Sequence, residues 1–154
     1  MRHCFLGLLV LCFLSCVSVE QQGKVVKVID GDTFDLLDAN KTTRIRLFGI
    51  DSPERGQAFN KRAKAFTDSL VAGKQIRVVV RDTDRYGRTV GDAYLSDGTH
   101  VNAEIVRAGY AWQFRQYSTD PEISRLEQAA RSKRLGLWED QHAIPPWEFR
   151  KGKR

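Results

Sequence analysis

The order of two hydrophobic periodicities constrains this chain most. Strand-like runs come first, at Lys24–Ile29, Thr33–Leu37 and Thr42–Phe48. A helix-spaced segment follows Pro53, with Phe59, Ala63, Phe66 and Leu70 on one face and Gly73 as its stop. Two further strands read at Gln75–Arg81 and Thr89–Leu95; in the first, Ile76, Val78 and Val80 alternate with Arg77, Val79 and Arg81. Asp97-Gly98 makes a turn, and a short helix is expected from about His100 to Ala108, ending at Gly109. A last helix has Asp120 as cap, Pro121 in its first turn, Glu122 against the dipole, a buried stripe of Ile123, Leu126 and Ala130, and Gly136 as stop. Five short strands cannot bury both faces as an open sheet in 154 residues. The predicted fold is therefore α+β: a five-stranded, partly open barrel of the OB-fold class with three helices around it. Barrels of this class bind single-stranded nucleic acid or oligosaccharides on one face.

The first residues read differently from the rest. Arg2 precedes a low-polarity run from Phe5 to Leu14, and small residues follow at Ser15, Cys16 and Ser18. The run is about half the roughly 20 apolar residues that a membrane span needs. It reads as a secretory signal peptide over residues 1–18, cleaved after Ser18, with one domain over 19–154. A lipoprotein reading, with Cys16 acylated, ranks second because Phe13 and Leu14 fit its pattern poorly. The expected location is thus secreted or periplasmic, with no stable membrane association of the mature form. All three cysteines (Cys4, Cys12 and Cys16) fall in the leader, so the mature domain relies on its core and has no thiolate metal site.

Charge points to the kind of partner. Cleavage takes one arginine from the 25 basic residues and none of the 19 acidic ones. An exported domain left this basic favours polyanions such as nucleic acid, anionic lipid or cell-wall polymers. The tail Arg150-Lys-Gly-Lys-Arg154 adds a basic end, which by itself reads as solvated.

Acids and arginines gather at the turns. Ile29-Asp-Gly-Asp-Thr33 interrupts an apolar hairpin, where Asp-Gly is an ordinary turn signal. Arg46-Leu-Phe-Gly-Ile-Asp-Ser-Pro-Glu54 leaves a strand; taken alone, Arg46 is a solvent-facing strand residue and Ser-Pro-Glu a helix start. Arg85-Tyr-Gly-Arg88 is a hairpin tip. In this order, the three segments resemble the signatures of the thermonuclease family, the secreted, calcium-dependent nucleases of staphylococcal type. The resemblance runs from about Lys24 to Trp138. The ending Ile144-Pro-Pro-Trp-Glu-Phe-Arg150 is similar to a branch of secreted bacterial members, and also suits a proline-rich strap packing two aromatics.

The resemblance implies a calcium-dependent phosphodiesterase acting on DNA and RNA and leaving 3′-phosphate ends, expected to be a monomer. It implies Asp32 and Asp51 as direct calcium ligands, Ser52 as a ligand through its backbone carbonyl, and Asp30 as a nearby acid acting through water. Oxygen donors of this kind suit calcium. Arg46 and Arg88 correspond to the phosphate-binding arginines, whose forked guanidinium groups match non-bridging oxygens. Glu54 corresponds to the acid that orients or deprotonates the attacking water. Arg85, Tyr86 and Tyr117 fall where the family contacts the nucleotide. Two departures stand out. The segment between Glu54 and Phe66 is shorter than in the family's prototype, and Arg115 replaces one of two tyrosines after the second helix.

Three other readings compete with this one. A non-catalytic OB barrel could bind single strands without cutting them. It would not need Asp32, Asp51 and Glu54 beside two arginines, because acids in a phosphate groove weaken binding unless a cation bridges them. A cell-wall or lipid binder rests only on charge and export. Asp82-Thr-Asp-Arg-Tyr-Gly87 opens like an EF-hand loop, but Tyr86 and Ala93 occupy ligand positions of that loop.

Overall fold

The computed structural model describes residues 19–152. The signal-peptide reading of residues 1–18 and the last two tail residues lie outside that range. Alternation in the sequence becomes seven strands: β1 (Glu20–Asp30), β2 (Thr33–Asp38), β3 (Lys41–Leu47), β4 (Ile50–Asp51), β5 (Gln75–Thr83), β6 (Thr89–Leu95) and β7 (Trp112–Gln113). The helices are α1 (Asn60–Val71), α2 (Val101–Arg107), α3 (Pro121–Ser132) and α4 (Pro146–Lys151), with a 3₁₀ turn at Gly136–Glu139.

The five long strands form a closed barrel in the order β1-β2-β3-β6-β5. Every neighbour pair is antiparallel except β3–β6, which runs parallel through Ile45↔Thr89, Arg46↔Val90 and Leu47↔Gly91. The barrel is thus closed rather than partly open. That parallel seam joins segments far apart in sequence, so strand periodicity could not reveal it. Phe34, Leu36, Ile45, Leu47, Val78 and Ala93 fill the interior, and Ile105 and Val106 of α2 belong to the same core.

Among the described residues four α-helices, rather than three, accompany the barrel. The addition, α4, has six residues and starts after Pro145 with Pro146 at its first position. It is too short for a helical period to be read. Its Trp147 joins a second apolar cluster of Trp112, Ala130, Leu137 and Trp138, and stacks on Phe114 with ring centroids 5.3 Å apart. Trp147 thus packs as the expected strap requires.

Helix α1 begins at Asn60, so Ser52-Pro-Glu54 is a loop and not a helix start. Its buried face is Ala63, Thr67 and Val71, with Phe66 and Leu70 partly buried beside the core. Thr67 is buried because its Oγ1 donates to the carbonyl oxygen of Gly31 at 2.7 Å. That bond ties the β1–β2 hairpin tip to the helix. Asp120 caps α3 as expected, accepting from the N–H groups of Glu122 and Ile123.

Candidate active site

The hairpin between β1 and β2 turns at Gly31-Asp32, and Asp30 pairs with Thr33 at its neck. Gly31 does not adopt a left-handed conformation. What excludes a side chain there is space: a Cβ would lie 2.8 Å from both Cβ and Oγ of Ser52 and 3.0 Å from Cβ of Ala63. Gly31 therefore lets the tip press against the loop after β4, which is how Asp32 meets that loop. Asp32 Oδ2 accepts the Ser52 N–H at 2.7 Å, and Asp32 Oδ1 accepts the Thr33 hydroxyl at 3.1 Å.

Across the hairpin, register places Thr33 opposite Arg46, and the next strand places Val90 beside it. Arg46 is not solvent-facing; its side chain is 14% exposed. Its Nη1 donates to the carbonyl oxygens of Leu47 and Ile50 at 2.6 and 2.8 Å. Its Nη2 lies 2.8 Å from Asp51 Oδ1 and 3.3 Å from Asp32 Oδ2. One guanidinium thus holds the turn carrying Asp51 and lies between two buried acids.

The β5–β6 hairpin lines the same cleft. Asp84 Oδ1 accepts the N–H groups of Tyr86 and Arg88, and its Oδ2 accepts Arg88 Nε at 2.6 Å. Burial raises the Asp84 pKa, but the bonds from Arg88 and Tyr86 outweigh it and leave the group below its ordinary value. Gly87, at φ 77°, completes the turn. Tyr86 is exposed, with the Arg85 and Arg88 guanidinium carbons 4.8 and 5.6 Å from its ring centroid.

These elements enclose a cleft of about 710 Å³. Every residue singled out from the sequence lines it: Asp30, Asp32, Arg46, Asp51, Ser52, Glu54, Arg85, Tyr86, Arg88 and Tyr117. Arg115 does not; it pairs with Gln113 and with buried Glu127. Tyr117 meets Phe114 edge-on at 4.8 Å, and Phe114 rests on Trp147.

Sequence reasoning missed Arg150. Read as part of a solvated tail, it instead reaches from α4 into the cleft and pairs with both Asp51 and Glu54. Nothing in a basic tail distinguishes one arginine from its neighbours. Asp84 was also passed over, although its place four residues before Arg88 in a tight hairpin was a usable signal.

The acids bear the strain of this crowding. Burial first, and then the neighbouring Asp32 carboxylate, pushes Asp30 up to about 7. The same two causes push Asp51 up to about 6, against the pull of Arg46 and Arg150. Asp30 Oδ1 is buried with no hydrogen-bond partner. Among the described residues, no group of three or more His, Cys, Asp or Glu side chains is arranged to hold a metal ion. Asp51 is turned to Arg46 and Arg150, and Asp32 to the Ser52 N–H. The donor chemistry still suits a hard cation: oxygens only, crowded, with an orphaned carboxylate oxygen beside them.

A family model described as "Staphylococcal nuclease homologue" matches residues 44–140. The chain belongs to the staphylococcal nuclease family. An "Uncharacterized endonuclease" of Escherichia coli O157:H7 is 46% identical over 135 residues, covering 88% of this chain and 87% of the relative. A "Micrococcal nuclease" of Shigella flexneri is 40% identical over 143 residues, covering 86% and 82%. A "Staphylococcal-like nuclease CAN1" of Arabidopsis thaliana is 43% identical over 114 residues, covering 74% of this chain and 35% of that protein. These relatives support a nuclease function for this staphylococcal nuclease homologue, and hence nucleic acid as its substrate. Among the described residues, no helix is long and apolar enough to cross a membrane.

Proposed function

We propose that the protein is a calcium-dependent nuclease that hydrolyses phosphodiester bonds of DNA and RNA and leaves 3′-phosphate ends. The observation that carries this reading is the convergence of acids and arginines on one cleft. Asp30, Asp32, Asp51 and Glu54 line it together with Arg46, Arg85, Tyr86 and Arg88.

Asp32, Asp51 and the Ser52 carbonyl would hold the calcium, with Asp30 supporting them through water. Bound there, the cation supplies positive charge to a phosphate that gains negative charge as it is attacked. The chain's own groups supply the rest. Arg46 and Arg88 both line the cleft, and their hold on the non-bridging oxygens would tighten as charge builds. Arg88 is aimed by Asp84, so its guanidinium is set before substrate arrives. Glu54 holds the attacking water and takes its proton. Tyr86, with Phe114 and Tyr117, gives bases a surface to stack on.

A non-catalytic single-strand binder would gain nothing from four acids facing the phosphate path. The test is incubation of the mature domain with plasmid DNA and with RNA, in calcium and in chelator. Cleavage of both in calcium and none in chelator is expected, with magnesium a poor replacement because of its stricter geometry. Full activity in chelator would refute the metal assignment. The reading includes export: mass spectrometry of the secreted or periplasmic form should find a start near Val19, and intact Met1 or a lipidated Cys16 would refute it.

A further inference from the structure

The site contains a side chain that the three signature segments do not supply. Arg150 comes from α4, about a hundred residues along the chain from the acids it meets. Its Nη2 donates to Asp51 Oδ2 at 2.8 Å, and its Nη1 donates to Glu54 Oε1 and lies 3.5 Å from Asp51 Oδ1. One planar guanidinium thus spans the two carboxylates.

Glu54 needs such a partner. It sits in an irregular loop between β4 and α1, where no ladder or helix fixes its side chain. The loop's main chain is laced in place: Gln57 Oε1 accepts the Glu54 N–H, Gln57 Nε2 donates to the Ile144 carbonyl, and Asn60 donates to the Pro53 carbonyl. These bonds hold the loop's main chain and do not involve the Glu54 carboxylate. Among the described residues, Arg150 is the partner of that carboxylate, and it takes Oε1. The arginine is itself held from behind, since Trp147 three residues earlier is stacked on Phe114.

We infer that Arg150 is a positioning residue of the active site: its guanidinium bridges Glu54 to Asp51 and fixes the base carboxylate beside the metal ligand. The inference rests on the proposed role of Glu54. Lysine cannot reproduce it fully, because an ammonium is a point charge and cannot present two parallel donors to two carboxylates.

The experiment is a double-mutant cycle on the full mature chain, using Glu54→Gln, Arg150→Ala and the double variant. Single-turnover cleavage of a short DNA in calcium is read together with calorimetric titration of calcium alone. Wild-type cleavage comes first, since an inactive wild type would refute the nuclease reading itself. Given activity, Arg150→Ala should lower the single-turnover rate about 10–100-fold with the half-saturating concentration changed less than about threefold, and Arg150→Lys should recover part of the loss. The double variant should cut within about threefold of Glu54→Gln, because an arginine that acts through Glu54 has nothing left to position. Calcium affinity should not fall in Arg150→Ala, since a competing cation has left Asp51. Independent, multiplying losses in the cycle would overturn the inference. So would calcium affinity falling in step with turnover. If Arg150→Ala does not fold, Arg150→Lys carries the same cycle, and wild-type turnover in it would refute the bridge.

Discussion

Gly31→Ala tests whether close approach, rather than turn geometry, makes glycine necessary at the hairpin tip. The added methyl would lie 2.8 Å from two atoms of Ser52 and 3.0 Å from Ala63. Carbon atoms prefer about 3.5–4.0 Å, so something must move by roughly 1 Å. Neither neighbour yields easily: Ser52 Cβ is fixed by its backbone, and Ala63 is fully buried in α1. Overpacking of this kind costs about 1–3 kcal/mol. Replacing glycine where φ is not left-handed returns about 0.4–1 kcal/mol through the unfolded chain. The expected net loss is about 1–2 kcal/mol, read as a lower urea midpoint at unchanged slope. The displacement must also stretch the 2.7 Å Ser52-to-Asp32 bond, so calcium affinity should fall at least severalfold in protein that remains folded. Asparagine, a good turn former, should be worse than alanine at position 31. At Gly87, with φ 77° and nothing within 4 Å of where a Cβ would lie, asparagine should be nearly tolerated. If Gly31→Ala kept both the wild-type midpoint and the wild-type calcium affinity, the close-approach argument would be wrong.

Glu54→Gln keeps size and polarity but removes the base, so single-turnover cleavage should fall by roughly two to four decades while calorimetry shows nucleotide bisphosphate binding in calcium nearly intact. Wild-type cutting by that variant would return Glu54 to a mere loop residue. Asp84→Ala should lower turnover about 10–100-fold by releasing Arg88 from its aimed position, and nucleotide affinity titrations should show a smaller effect on binding. The raised pKa values of Asp30 and Asp51 set a pH dependence with a definite sign. Between about pH 4 and 7 the cation-free folded chain holds protons that the unfolded chain has released, so its stability should rise as pH falls from 7 toward 5. Carboxylates with depressed values, such as Asp84 and Asp92, act in the opposite sense only below that window. Thermal melts in chelator should show the rise, and calcium should stabilise more at about pH 7.5 than at about pH 5.5; a cation-free melting temperature that drops from pH 7 to pH 5 would contradict it.

Much of this was legible because strands announce themselves locally. Thr89–Leu95 is legible to the residue, and the other barrel strands to within a few residues, since each buries one alternating set. The acids that line the cleft were singled out through the resemblance; taken one at a time, Asp30 and Asp32 read as turn residues and Ser52-Pro-Glu54 as a helix start. Three things were not legible. The β3–β6 pairing is a contact between distant segments with no local signal. Thr67 is not among the apolar residues that mark the buried face of its helix, and the nearby Gly31 carbonyl is what satisfies its hydroxyl in the interior. Arg150 is one of several basic residues at the chain end, and its aim depends on Trp147 docking to a ring that local patterning cannot place.

The parallel seam between β3 and β6 has a kinetic meaning. The β1–β2 and β5–β6 hairpins are local and can form early, within microseconds as isolated events. The seam, by contrast, waits for a search across the intervening loop and helix, and contacts of such separation slow folding. Arg46 lies in that seam and Arg88 immediately precedes it, so the two arginines reach their relative places only when the barrel shuts. A partly folded chain would have both hairpins and neither a cleft nor the two guanidinium groups together in one. Recovery of nuclease activity in a refolding experiment should therefore track the last, slow phase of core closure rather than the early appearance of strand signal.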